Sequence, residues 1–255
     1  LHMLCPIYQT QKTNEITRQM NINQIKYLAV ISMLCDHIAY AFLPSSSTLY
    51  MVMRLFGRIA APSMCFVLAQ GFIHTSNRKK YFIRLLVFAL ISQLPFSYFG
   101  FGSYTGPMGN VIFTLACAFA IMAVIENLKT IGKIPGVVAV VLLLFLSMLS
   151  DWIILAPMFT LSIYFNKDNK DRQAIGYLLV SLATFAASVY FALQHGEPWQ
   201  YQIWQLGTVL VIPIIYAYNG KPGSKAAFNK WFFYVFYPAH LMILGILCWD
   251  YSFAI

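Results

Sequence analysis

Charge is what this chain has least of. Only 10% of its 255 residues are Asp, Glu, Lys or Arg, and just eight of those are acidic; soluble domains carry about 25%. With 60% apolar residues and a mean hydropathy of +0.67, the chain lacks the polar surface needed to cover itself in water. It reads as an integral membrane protein. At about 20 residues per span, the length allows at most about ten helices and leaves no room for a separate soluble catalytic domain. Cysteine pairing is missing as well. The cysteines at 5, 35, 65, 117 and 248 show no CxxC or ligand spacing, and four lie in apolar runs, so they read as packing and no metal site is expected. There is no low-complexity tract, internal repeat or long hydrophilic linker, so residues 22–255 read as one domain behind a polar tail, Leu1 to Asn21. Leu1-His2-Met3 has the look of vector-derived residues or an upstream start. A cleaved leader is not expected, because no apolar stretch precedes the first span.

What is present is a series of apolar runs: Ile25 to Leu43, Leu49 to Phe72, Tyr81 to Phe99, Val111 to Ile125, Ile134 to Leu149, Ile153 to Phe165, Ala174 to Leu193, Ile203 to Tyr218, and Trp231 to Trp249. They predict an all-α bundle of about nine transmembrane helices. Asp151-Trp152 divides 134–165 into two short segments, and every later orientation depends on that division. The formal charge of +9 does not point to nucleic acid, since the 17 basic residues form small clusters between apolar runs and not a basic face. Fifteen of them fall in alternate loops: Lys12, Arg18 and Lys26; Arg78, Lys79, Lys80 and Arg84; Lys129 and Lys133; Lys167, Lys170 and Arg172; Lys221, Lys225 and Lys230. The intervening loops have none. The positive-inside rule then predicts a multi-pass protein of the cell membrane, with a cytoplasmic amino terminus and an outer carboxyl terminus.

The two remaining basic residues, Arg54 and Arg58, lie inside the second run, with Asp36 and His37 in the first and His240 in the last. A charge at the centre of a membrane helix costs at least about 2.5–3.5 kcal/mol, so such residues are paired, solvated or functional. From a rise of 1.5 Å per residue, His37 and Arg54 lie roughly 9 and 8 Å below the outer surface, and Arg58 is one turn deeper on the face of Arg54. His240, near the midplane, tops a polar stripe with Lys230, Tyr234 and Tyr237. Two arginines against one aspartate leave the cluster at formal +1, a surplus that would attract an anion or a developing oxyanion. The ordinary alternative is a structural clamp between Asp36 and one arginine. His74, beside the Arg78 cluster, reads as interfacial.

Eight strings then form a pattern. Asp36-His37-Ile38, Gly57-Arg58-Ile59-Ala60-Ala61-Pro62, Gly71-Phe72-Ile73-His74-Thr75 and Asn77-Arg78-Lys79-Lys80-Tyr81 come first. Ile91-Ser92-Gln93-Leu94-Pro95-Phe96, Asn110-Val111-Ile112-Phe113-Thr114-Leu115, Tyr218-Asn219-Gly220-Lys221-Pro222-Gly223 and Phe233-Tyr234-Val235-Phe236-Tyr237-Pro238-Ala239-His240 follow in order. From Ile22 to Leu247 the chain resembles the TraX family. The resemblance implies a polytopic transmembrane acyltransferase, similar to enzymes that pass an acetyl group from cytosolic acetyl-CoA to an acceptor at the far membrane face. The family prototype acetylates the amino terminus of a conjugative pilin. The acceptor here stays open among a peptide or protein amino terminus, a sugar and a small amine.

Such a transfer needs a base for the attacking amine or hydroxyl and positive charge near the carbonyl oxygen. His37 is expected to be the base, with His240 as the other candidate, and Arg58 or Arg54 to stabilise the transition state. Asp36 cannot orient His37, because adjacent helical residues point about 100° apart, so it is assigned to holding an arginine. Acyl-CoA entering from the inside would meet Arg78, Lys79, Lys80, Asn219, Lys221, Lys225, Lys230, Tyr234 and Tyr237. Asn110 and Asp151, near the outer helix ends, are candidates for holding the acceptor. A proton-coupled solute carrier and a noncatalytic membrane assembly protein are the competing classes.

Overall fold

The computed structural model describes residues 19–251, so the tail up to residue 18 and the last four residues lie outside it. The described chain is helical throughout, with two isolated bridges, Met20 to Tyr218 and Gly109 to Ser150. In order come α1 (Ile22–Phe42), α2 (Thr48–Gly57), α3 (Ala60–His74), α4 (Arg78–Phe101), α5 (Val111–Glu126), α6 (Leu128–Ile131), α7 (Lys133–Met148), α8 (Leu155–Phe165) and α9 (Lys170–Gln194). A 3₁₀ helix, Trp199–Leu210, then runs into α10 (Val211–Ala217), and α11 (Ala227–Trp249) closes the bundle. Orphan backbone groups at helix ends are costly near lipid, and short polar side chains cap many of them. Asn21, Ser47, Asn77, Asn110 and Asn169 each accept a hydrogen bond from the first turn that follows.

Among the described residues, five stretches are long and apolar enough to cross a membrane: α1, the run Thr48–His74, α4, α9, and Trp231–Trp249 within α11. α5, α7 and α8 are shorter apolar helices. The divided region at 134–165 does form two separate helices, whereas the expected span at 203–218 starts as a 3₁₀ helix. Water would penalise the outward side chains of Leu90, 76% exposed, and Ile134, 80% exposed; lipid does not. The most buried stretch is Thr48–His74. Its Phe66 and Phe72 join Phe119, Phe159 and Tyr177 in a core between α3, α5, α8 and α9. Cys65 is buried there and Cys117 is buried on α5, both as free thiols; Cys35 and Cys248 are free and half-buried, and Cys5 lies outside the described residues.

The run Thr48–His74 turns at Arg58 and Ile59, inside what reads as one span. Pro62 explains the turn: it has no N–H for the Arg58 carbonyl four residues back, and its ring crowds that carbonyl. The ends of the elements are tied in two groups. At one end, Met20 donates to the Ala217 carbonyl, Ile22 to that of Lys221, and Lys170 Nζ to those of Tyr216 and Tyr218, while Arg78 pairs with Glu126. This is the basic end. At the opposite end, Asp36 meets Arg54, Tyr98 bonds Asp250, and Trp249 donates to the Phe99 carbonyl.

Candidate functional site

Arg54 of α2 and Arg58 in the turn after it converge on Asp36 of α1. Arg54 Nη1 donates to Asp36 Oδ2 at 2.8 Å, and Arg58 Nη2 donates to the same oxygen at 3.2 Å. Gly57 makes the approach possible, because a Cβ there would collide with the Asp36 carboxylate. Both guanidinium carbons also lie 4.4 Å from the indole of Trp204 on the 3₁₀ helix, and Arg58 lies 5.4 Å from that of Trp152. The Nε atoms of both arginines are buried without a hydrogen-bond partner. Asp151, near the end of α7, couples electrostatically to Arg58. The ion pairs themselves set one carboxylate against two guanidiniums, as the sequence count had it, and Asp151 joins them only through its electrostatic coupling to Arg58.

His37, next to Asp36 in sequence, turns to another face of α1. Its Nδ1 is 2.8 Å from Nε2 of His240 on α11, and the two rings lie within 4° of parallel. Nδ1 of His240 donates to the Phe236 carbonyl one turn earlier, also at 2.8 Å. The two histidines expected as rival bases form one hydrogen-bonded pair. Phe99 of α4 covers His37 at 5.2 Å, and Phe236 stacks on His240 at 4.8 Å.

His37 and Asp36 line an inner cavity of about 130 Å³ together with Asp151, Trp152, Tyr237 and apolar side chains such as Met33, Met64 and Leu68. Neither Arg54 nor Arg58 is part of that lining; they stand behind Asp36. A second, wider cavity of about 610 Å³ opens at the basic end, between the starts of α1, α4 and α11 and the end of α10. Lys26, Val67, Tyr81 and Tyr234 line both, and so form the neck of protein that stands between the two. Lys26 lies 5.1 Å from the ring of Phe233. Arg84, His74, Gln70, Asn229 and Lys225 line the outer vestibule.

The other predicted residues divide sharply. Tyr234 sits in the neck, Tyr237 in the inner cavity and Lys225 at the mouth. Arg78 is used by Glu126 and the Phe72 carbonyl, and Lys79 and Lys80 point into the open from the first turn of α4. None of the three lines the vestibule. Asn219 accepts from the Lys221 amide in a tight turn, and neither residue lines it. The side chain of Lys230 lies outside the described residues. Asn110 is a correction. It is fully buried, its oxygen caps α5 through Ile112 and Phe113, and its amide donates to Ala89 and Gln93, so it has nothing left for an acceptor. Sequence reasoning missed the parts played by Lys26, Arg84 and Trp204. For Lys26 a signal was present: it precedes His37 by eleven residues, three helical turns on one face.

Comparison with known proteins follows the same stretch of chain. Residues 21–248 match the family model described as TraX protein. The chain belongs to the TraX family. This TraX chain is also similar to a protein of Dichelobacter nodosus described as "Probable fimbrial assembly protein FimC, serogroup H1". The two are 34% identical over 232 residues, which is 87% of this chain and 93% of the relative. No solved structure matches it.

Proposed function

We propose that this TraX chain is a multi-pass acetyltransferase of the cell membrane that takes its acetyl group from acetyl-CoA on the cytoplasmic side and hands it to an acceptor at the outer half. The observation that carries this reading is the pair of adjacent cavities, one behind the other along α1. A vestibule edged by Lys26, Arg84 and Lys225 suits the phosphates of CoA, and the neck suits a thin pantetheine arm. Lys26 and His37 are about 16 Å apart along α1, so phosphates held at the mouth leave the thioester near the imidazole. His37 takes the proton from the attacking group and returns it to the departing thiolate sulfur, so that acceptor and acetyl-CoA become acetylated acceptor and free CoA. Asp36 and Asp151, carboxyl groups on the cavity wall, can accept hydrogen bonds from the N–H groups of a neutral amine. Arg54 and Arg58, outside the lining, hold Asp36 in place and so act on the cavity through that carboxylate.

The name of the Dichelobacter relative favours a second reading, a membrane protein of fimbrial or pilus assembly. The two agree if the acceptor is the amino terminus of an assembled subunit. They differ if the chain only scaffolds. Purified protein incubated with radiolabelled acetyl-CoA decides between them. Label captured on an added amine, or slow hydrolysis of the thioester, is expected and should vanish in His37→Gln. Absence of both, with acetyl-CoA left intact, would leave the assembly reading alone.

A further inference from the structure

Two ring nitrogens and one carbonyl determine where the protons of the histidine pair reside. A backbone carbonyl only accepts, so the 2.8 Å contact between His240 Nδ1 and the Phe236 oxygen requires a proton on Nδ1. A neutral imidazole has one N–H, which makes Nε2 of His240 an acceptor. The 2.8 Å bond from there to His37 Nδ1 then requires its proton to belong to His37. The lone pair of His37 is thereby on Nε2. The opposite count would make His240 a cation on a ring only 5% exposed and stacked against Phe236, with no carboxylate hydrogen-bonded to it among the described residues. Burying an unpaired charge is far costlier than a neutral pair.

We propose that His240 is a positioning residue: it locks His37 in the Nδ1–H form, so that Nε2 of His37 is the basic atom offered to the inner cavity and His240 is not itself a base. What the proton is taken from rests on the acyl-transfer reading; where it is received does not. As the acceptor nitrogen bonds the acetyl carbon, its N–H bond breaks and the proton goes to His37 Nε2. The imidazolium then keeps its Nδ1–H on His240, as a charge-assisted bond roughly twice as strong as the neutral one. The proton leaves from Nε2 to the thiolate sulfur once the C–S bond has broken. The charged groups around His37 are Asp36 beside it on α1, Asp151 on the same cavity wall, and Arg54 and Arg58 on the run that follows; the arginines pair with Asp36 and not with the ring.

Nitrogen-15 NMR of histidine-labelled full chain in lipid nanodiscs, without substrate, reads the lock directly. The wild type should show His37 protonated at Nδ1 and bare at Nε2, with a coupling through the hydrogen bond to His240 Nε2. In His240→Gln the side-chain oxygen still accepts, so the tautomer and most of the turnover should persist. In His240→Leu the tautomer should be lost and kcat should fall by about 10²–10⁴-fold, the range for losing a general base, at an unchanged KM for acetyl-CoA. A proton on Nε2 of His37 in the wild type would overturn the proposal, as would equal turnover of the Gln and Leu variants where the wild type transfers acetyl groups. The NMR result stands whether or not acetyl groups move: the expected tautomer in a chain without transferase activity would uphold the lock and count against the acyl-transfer reading alone.

Discussion

At the scale of single residues, Asp36 carries more than any other side chain. It pairs with two arginines that would otherwise face each other in a medium of low dielectric, and it does so in the space that Gly57 leaves open. Removing one member of a buried ion pair typically costs about 3–5 kcal/mol, because the remaining charge loses water and partner together. Asp36→Asn should therefore lower the unfolding free energy in detergent by about that amount. The check is an unfolding titration of variant and wild type in the same micelles, and a loss below about 1 kcal/mol would mean that water already reaches the arginines. Gly57→Ala should act in the same direction without changing any charge, by pushing the carboxylate off its partners.

At the scale of elements, the helix ends hold the information that hydropathy does not. Asn110 spends every polar atom on the start of α5 and on the carbonyl and amide of α4. Asn110→Ala should cost about 0.5–2 kcal/mol for the cap while leaving KM for the acceptor unchanged, which thermal unfolding and steady-state kinetics of one preparation measure together. The long apolar runs were legible from the sequence because windows of about 19 residues average over such details. The same averaging hid the turn at Arg58 and Ile59, although Pro62 stood in view. It also hid the 3₁₀ helix, whose residues are as apolar as those of a regular span. Trp204 reaches the arginines only through that helix, and Gly207 lets it lie directly against the Leu55 carbonyl.

At the scale of the molecule, the distribution of basic loops was the most informative pattern in the sequence, and those that are described gather at one end of the bundle. Which of their lysines line a cavity was not legible, because topogenic charge and phosphate-binding charge look alike until the helices are placed. Arg78 turned to Glu126, whereas Lys26 and Arg84 turned to the vestibule. Replacing Arg84 and Lys225 together should weaken CoA binding and flatten its dependence on salt, since exposed charges are screened within about 8 Å in physiological buffer. Isothermal titration at two ionic strengths measures this, and unchanged affinity would return both residues to a purely topogenic role. In a cysteine-free background, Cys placed at Arg78 and at Ser103 should differ towards an impermeant thiol reagent in intact cells, with only 103 labelled. Equal labelling would defeat the assigned orientation.

The neck between the cavities also bears on energy conservation. A protein that leads a water-soluble arm from one side of a membrane towards the other must not become a leak for ions, because the gradient it sits across drives much of the cell's work. Here the wall shared by the two cavities carries Lys26 with Tyr81, Tyr234 and Val67. A fixed cation at a constriction repels protons and metal cations by the same means that protects water channels from proton flow. Lys26→Ala should then raise passive proton flux in vesicles loaded with a pH-sensitive dye, whereas Lys26→Arg should stay tight. On this view, one lysine lets the chain act as a conduit for chemistry and still serve as an electrical insulator.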